Sequence, residues 1–106
     1  MVNRGEVRWI ASDEPQKGRP GVVMTRQAVA GRLRSVLIAP ITTQIRNLPS
    51  EVPLGPEHGM PKRCVASLDN VTLVDVNLLG PVITQLDPPT MGALCEALAA
   101  AVDCVS

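Results

Sequence analysis

Three polar segments interrupt an otherwise apolar chain of 106 residues: EPQKGRP at 14–20, APITTQIR at 39–46 and SLDN at 67–70. Each holds a side chain suited to phosphate chemistry. Arg19 offers a forked, permanently charged donor for phosphate oxygens. The Thr42 hydroxyl can donate to the same phosphate, and the Asp69 carboxylate can accept from a ribose or a base. Brought together, the three would stabilise charge developing on a phosphate during transfer without a metal ion. They lie about 25 residues apart, so spacing alone does not join them. An alternative therefore stands beside this one: Arg19 paired with a carboxylate, and Thr42 an ordinary hydroxyl at a strand end.

Both readings need elements that end at these segments. EVRWI (6–10) reads as a first strand, with Val7, Trp9 and Ile10 supplying core contacts. A polar loop, 12–20, is punctuated by Pro and Gly. Strands are expected at GVVMT (21–25) and RSVLIAPIT (34–42), the second β-branched and apolar at its centre, with a connection at 26–33 containing a helical turn. Pro40 points to a bulge or a sheet edge near the end of that strand. Further short strands are read at 48–54, 63–68 and 80–87, with an irregular start to 69–79 and a loop at 55–62. The period then changes. Asp87 is a good N-cap, Pro88 suits the first helical position, and Met91, Leu94, Cys95, Leu98 and Val102 follow helical spacing. The expected architecture is one domain over 1–106: mostly β, a small SH3-like or CcdB-like antiparallel barrel with a C-terminal helix.

Composition removes several functional classes. No apolar run approaches the roughly 20 residues of a membrane span, and the start lacks a signal peptide's apolar segment. A cytoplasmic protein with no membrane partner is expected. Cys64, Cys95 and Cys104 have no C-x-x-C spacing and read as buried thiols. His58 is the single histidine, in a turn-prone loop, and no P-loop or G-x-S-x-G motif occurs. Nothing in the sequence supports metal, cofactor or covalent catalysis. Net charge is zero, yet all ten Lys and Arg lie within residues 1–63 beside five acids, while 64–106 hold five acids and no base. That split of +5 and −5 fits a basic face for a polyanion, or else pairing between the halves. Trp9 is the only aromatic residue, so broad stacking on single-stranded nucleic acid is ruled out.

RGEVRW (4–9), GRPGVVMT (18–25), VLIAPITTQIRNLPSEVPL (36–54), CVASLDNVTLVD (64–75) and LGPVITQL (79–86) together resemble the MazF/PemK (Kid) toxins of bacterial toxin–antitoxin systems. The blocks follow the family's order and cover most of the chain. The resemblance implies a homodimer and a metal-independent endoribonuclease that cuts single-stranded RNA at short sequences. In the family the ribose 2′-OH attacks the adjacent phosphate, leaving a 2′,3′-cyclic phosphate and a 5′-OH end. Family roles then fall on Arg19 before Pro20, as catalytic arginine, and on Thr42, as catalytic threonine. Glu14 holds the place of a glutamate that some members use, and Asp69 matches an aspartate of the family. Thr43, Gln44, Arg46 and Arg26 are expected to contact RNA. A cognate, MazE-like antitoxin with an acidic tail is also implied.

Two departures accompany the match. Thr72 stands where many members carry arginine, and Gly21 follows Pro20 where valine is usual. Altered base specificity is the expected consequence. Two rivals keep the fold without the reaction: a CcdB-like toxin that poisons gyrase by protein contact, and a non-catalytic binding module.

Overall fold

Alternating apolar and polar residues fold into a series of short antiparallel strands, seen in a computed structural model that describes residues 2–12 and 18–102. The strands are β1 (Glu6–Ile10), β2 (Arg19–Val23), β3 (Ser35–Thr42), β4 (Glu51–Leu54), β5 (Cys64–Ser67), β6 (Thr72–Asp75) and β7 (Leu79–Gln85). A single turn of helix, α1 (Gln27–Ala30), lies between β2 and β3, and α2 (Pro88–Val102) follows the last strand. The sheet order is β4-β5-β3-β2-β1-β7, with β6 also paired to β3. The expected β architecture with its helix is present, but the sheet does not close: β4 and β7 are its ends.

β2 begins two residues earlier than its apolar run suggests. β1 extends to Ile10, and Ile10 and Trp9 pair with Arg19 and Pro20. On its other side β2 meets β3 in the register Gly21↔Pro40, Val22↔Ala39, Val23↔Ile38. Met24 N–H then donates to Leu37 O at 2.8 Å, and Leu37 N–H to Thr25 Oγ1 at 2.7 Å. Leu37 therefore faces β2, and by alternation so do the amides of Ala39 and Ile41. The amide that Pro40 lacks would face the opposite edge. There β6 pairs up to Ile38↔Thr72, and β5 takes over at Ile41↔Ala66. Two residues of β3 thus face five of the outer edge, the surplus being absorbed by one 3-10 turn, Leu68–Asn70. The missing donor falls in the gap between two ladders.

Strand alternation divides the apolar residues between the two faces. Val7, Val22, Ala39 and Ile41 join Val52, Leu54 and Ala66 under Met91, Leu94 and Ala97 of α2. On the other face, Val23, Val36 and Ile38 pack with Ile10, Val74 and Leu79. α2 starts as the sequence indicates, with Thr90 N–H donating to Asp87 Oδ1 at 2.9 Å. Its buried stripe, however, runs through Ala97 where Cys95 was expected. Cys95 is exposed, and Val102 is 56% exposed. The spacing permits either stripe, and the small alanine lets the helix sit closer to the sheet. Trp9 is likewise no core residue, being 41% exposed. It shares the face of Val7 but stands where that core ends.

Candidate active site

Continuing the β2–β3 register outward from Gly21↔Pro40 sets Arg19 across from Thr42. The first residue of one strand and the last of its neighbour therefore stand side by side at one end of the sheet. Both line two adjoining cavities. One, of about 260 Å³, is walled by Trp9, Ile41, Met60, Pro61 and Cys64, with Thr43 and Lys62 at its polar side. The other, of about 180 Å³, is lined by Gln44, Arg46, Glu51, Ser67 and Asn70. Arg19 also borders a third cavity, of about 200 Å³, together with Thr72.

Among the described residues the exposed Arg19 guanidinium has no hydrogen-bond or ion-pair partner. The alternative in which it is neutralised by a carboxylate finds no support there. Thr42 Oγ1 accepts the Gln44 N–H at 3.1 Å. That bond occupies a lone pair and leaves the hydroxyl proton to donate outward.

The segment after Thr42 leaves the sheet yet is held at several points. Arg46 N–H and Leu48 N–H donate to Glu51 Oε1 at 2.9 and 3.4 Å. Asn47 adopts φ 57°, a left-handed conformation that asparagine tolerates better than most residues. Ser50 Oγ donates to Asp69 Oδ2, and Leu68 N–H to Ser50 O at 2.9 Å. Two of the other basic side chains are paired with carboxylates away from this segment. Arg8 pairs with Glu6 at 2.9 Å, and Arg63 with Glu57. Among the described residues no ion pair links the basic and acidic halves of the chain.

The structure thus brings together Arg19, Thr42, Thr43, Gln44 and Arg46. Asp69 is engaged with Ser50 and lines neither shared cavity. Arg26 lies beyond the far end of β2, ahead of α1, and does not join the group. Glu14 falls outside the described residues. Sequence reasoning did not single out Lys62, Glu51 or Asn70. The only signal for Lys62 is the basic pair Lys62–Arg63 ahead of β5; the other two owe their position to the folded loop. Burial pushes the Cys64 thiol up, more strongly than Arg63 and Lys62 pull it down, which disfavours the thiolate that a nucleophile needs. His58 lines neither shared cavity, its Nδ1 accepting the Gly55 N–H at 3.1 Å. Among the described residues no three His, Cys, Asp or Glu cluster as metal ligands do, and no helix is long and apolar enough to cross a membrane.

A family profile described as PemK-like, MazF-like toxin of type II toxin–antitoxin system matches residues 3–102. The chain belongs to that family. Probable endoribonuclease MazF5 of Mycobacterium tuberculosis is 45% identical over 102 residues, spanning 95% of this chain and 93% of the relative. Endoribonuclease MazF3 of the same species is 39% identical over 87 residues, with 82% and 84% covered. Among solved structures, M. tuberculosis toxin MazF-mt6 superimposes with a TM-score of 0.84 at 36% identity, covering 92% of this chain and 96% of that one. A mycobacterial endoribonuclease in complex with its cognate antitoxin shares the fold, with a TM-score of 0.85 at 24% identity over 100% and 99% of the two chains.

Proposed function

We propose that the protein is the toxin of a type II toxin–antitoxin pair and a metal-independent, sequence-specific endoribonuclease acting on single-stranded RNA. The observation that carries this reading is the opposition of an unpaired Arg19 and a Thr42 hydroxyl whose proton is free to donate, between two cavities. In the reaction, a ribose 2′-oxygen loses its proton and attacks the adjacent phosphorus. The bond to O5′ breaks, O5′ takes up a proton, and a 2′,3′-cyclic phosphate remains. Negative charge grows on the non-bridging oxygens during the attack. Arg19 and the Thr42 hydroxyl are donors aimed at that charge, in a partly enclosed site where such donors act most strongly. The need for a 2′-hydroxyl selects RNA over DNA. Arg46, Gln44 and Asn70 line the polar cavity through which the backbone continues.

Cleavage of cellular RNA in the cytoplasm would halt translation and growth. A homodimer and a cognate antitoxin complete the reading. The antitoxin's acidic tail, disordered when free, would fold over Arg19 and Arg46 and exclude RNA. The test is incubation of purified protein with RNA in EDTA, followed by mapping of the fragment ends. Cleavage yielding 5′-OH and cyclic-phosphate ends is expected, and its loss in Arg19→Ala. Intact RNA at high enzyme concentration would remove the enzymatic reading in favour of protein-contact toxicity. Antitoxin and a non-cleavable RNA are expected to compete; simultaneous binding would make inhibition allosteric.

A further inference from the structure

The two cavities flanking the catalytic pair differ in chemistry, and that difference divides a nucleotide. The cavity lined by Gln44, Arg46, Glu51 and Asn70 is polar and suits phosphate and sugar. The one walled by Trp9, Ile41, Met60 and Pro61 is mainly apolar, with Arg19 and Lys62 as the charged residues that line it. Its volume of about 260 Å³ is just below the roughly 300–1,000 Å³ of sites for drug-sized ligands, a scale that fits one ring system. We infer that this cavity receives a single nucleobase of the bound RNA, stacked on the Trp9 indole, while Arg19 and Thr42 hold the adjoining phosphate.

The inference rests on the ribonuclease reading and adds to it a base-binding subsite with a named platform. The core is built entirely from aliphatic residues and sulfur side chains, yet the one aromatic ring is spent at the surface, 41% exposed, on the cavity wall. The ring is also held in place. A Cβ on Gly18 would lie 2.5 Å from Trp9 Nε1, so the chain passes directly against the indole edge only because residue 18 lacks a side chain. A Cβ on Gly80 would approach Trp9 O to 3.1 Å and Trp9 Cβ to 3.4 Å. A ring fixed in this way loses little freedom when a base stacks on it. Lys62 and Thr43 at the polar side supply donors for the base edge, where discrimination between bases would arise.

Because no other aromatic residue exists, protein emission reports Trp9 alone. A randomised single-stranded 2′-O-methyl RNA, whose blocked oxygen cannot attack, is titrated while the anisotropy of a label on the RNA is followed in parallel. Emission is expected to change with the same midpoint as the anisotropy, and the indole to become protected from acrylamide. Trp9→Phe, which keeps a ring, is expected to bind nearly as wild type. Trp9→Leu is expected to bind roughly 10- to 100-fold more weakly, the effect of losing one base–aromatic stack. Binding by anisotropy with unchanged emission and unchanged acrylamide access overturns the stacking and leaves the ribonuclease reading intact. Emission that follows protein concentration instead of RNA puts the indole in a contact between copies and also overturns it. Failure to bind or cleave RNA at all would end both readings. These emission measurements use the wild-type protein, so they decide the matter even if Trp9→Leu misfolds.

Discussion

Replacing Thr42 by valine removes one oxygen and keeps the shape and β-branching of the side chain. The strand end should tolerate it, since Thr42 is paired with Val65 inside the β3–β5 ladder and valine suits a pleated surface. The stability cost is set by the lost acceptor for the Gln44 N–H at 3.1 Å, an exposed bond whose loss costs about 0.5–1.5 kcal/mol. The catalytic cost is larger: losing one donor aimed at developing charge lowers the rate by about 10²–10³-fold, or about 3–4 kcal/mol. The two effects are separable. Urea unfolding followed by Trp9 emission measures the first, and single-turnover cleavage of end-labelled RNA in EDTA measures the second. The loss should fall on kcat more than on KM, because the hydroxyl acts on charge that is greatest in the transition state. Thr42→Ser, which keeps the donor, should retain far more activity. A folded Thr42→Val protein cleaving as fast as wild type would refute the role of this hydroxyl.

Three other perturbations test neighbouring parts of the reasoning. Arg46→Ala is expected to weaken RNA binding and reduce the salt dependence of log K by about 0.7, the share of one phosphate contact on a single strand; an unchanged slope places Arg46 off the RNA path. Glu51→Ala releases the amides of Arg46 and Leu48, so their hydrogen exchange should accelerate and RNA affinity fall; undiminished protection would show that other contacts hold the loop. For Glu6, burial alone would raise the carboxyl, but the Asn3 N–H and the Arg8 guanidinium outweigh it and hold the group below its ordinary 4.5. A pKa lowered by folding means that the stabilisation is present above the unfolded value and lost as pH falls through the folded one. Stability should therefore decline on acidification below about 4.5 and do so less steeply in Glu6→Gln; parallel profiles would contradict the pairing.

Local chemistry made several elements readable in the sequence. The β-branched centre of 35–42 and the Asp87–Pro88 start of α2 carry their own instructions. Arg19 and Thr42 were recognisable by type and by resemblance, but their opposition depends on the β2–β3 register, which spacing does not encode. Trp9 has the parity of a core residue. Only the position of Gly18 and Gly80, both close to it in space, shows that the core ends there. Cys95 was misplaced because helical spacing allows neighbouring stripes, and packing against the sheet selects Ala97. Its sulfur instead accepts from Arg4 Nη2 at 3.0 Å. Glu51, Asn70 and Lys62 belong to segments whose roles appear only once the loops have closed around Thr42.

Pro40 does more than interrupt the hydrogen bonding of β3 between its β6 and β5 ladders. A two-residue slip of β3 along its outer edge would preserve which side chains face the core, so hydrophobic burial alone discriminates poorly against it. Such a slip would carry the position without an N–H into one of the two ladders and leave an acceptor there unpaired. The proline thus acts as an index mark, admitting one alignment of β3 against β5. Thr42 lies two residues further along, so the same mark fixes its distance from Lys62, just before β5, and from Asn70, just after it. A residue with no donor of its own therefore decides whether the groups that donate are in step.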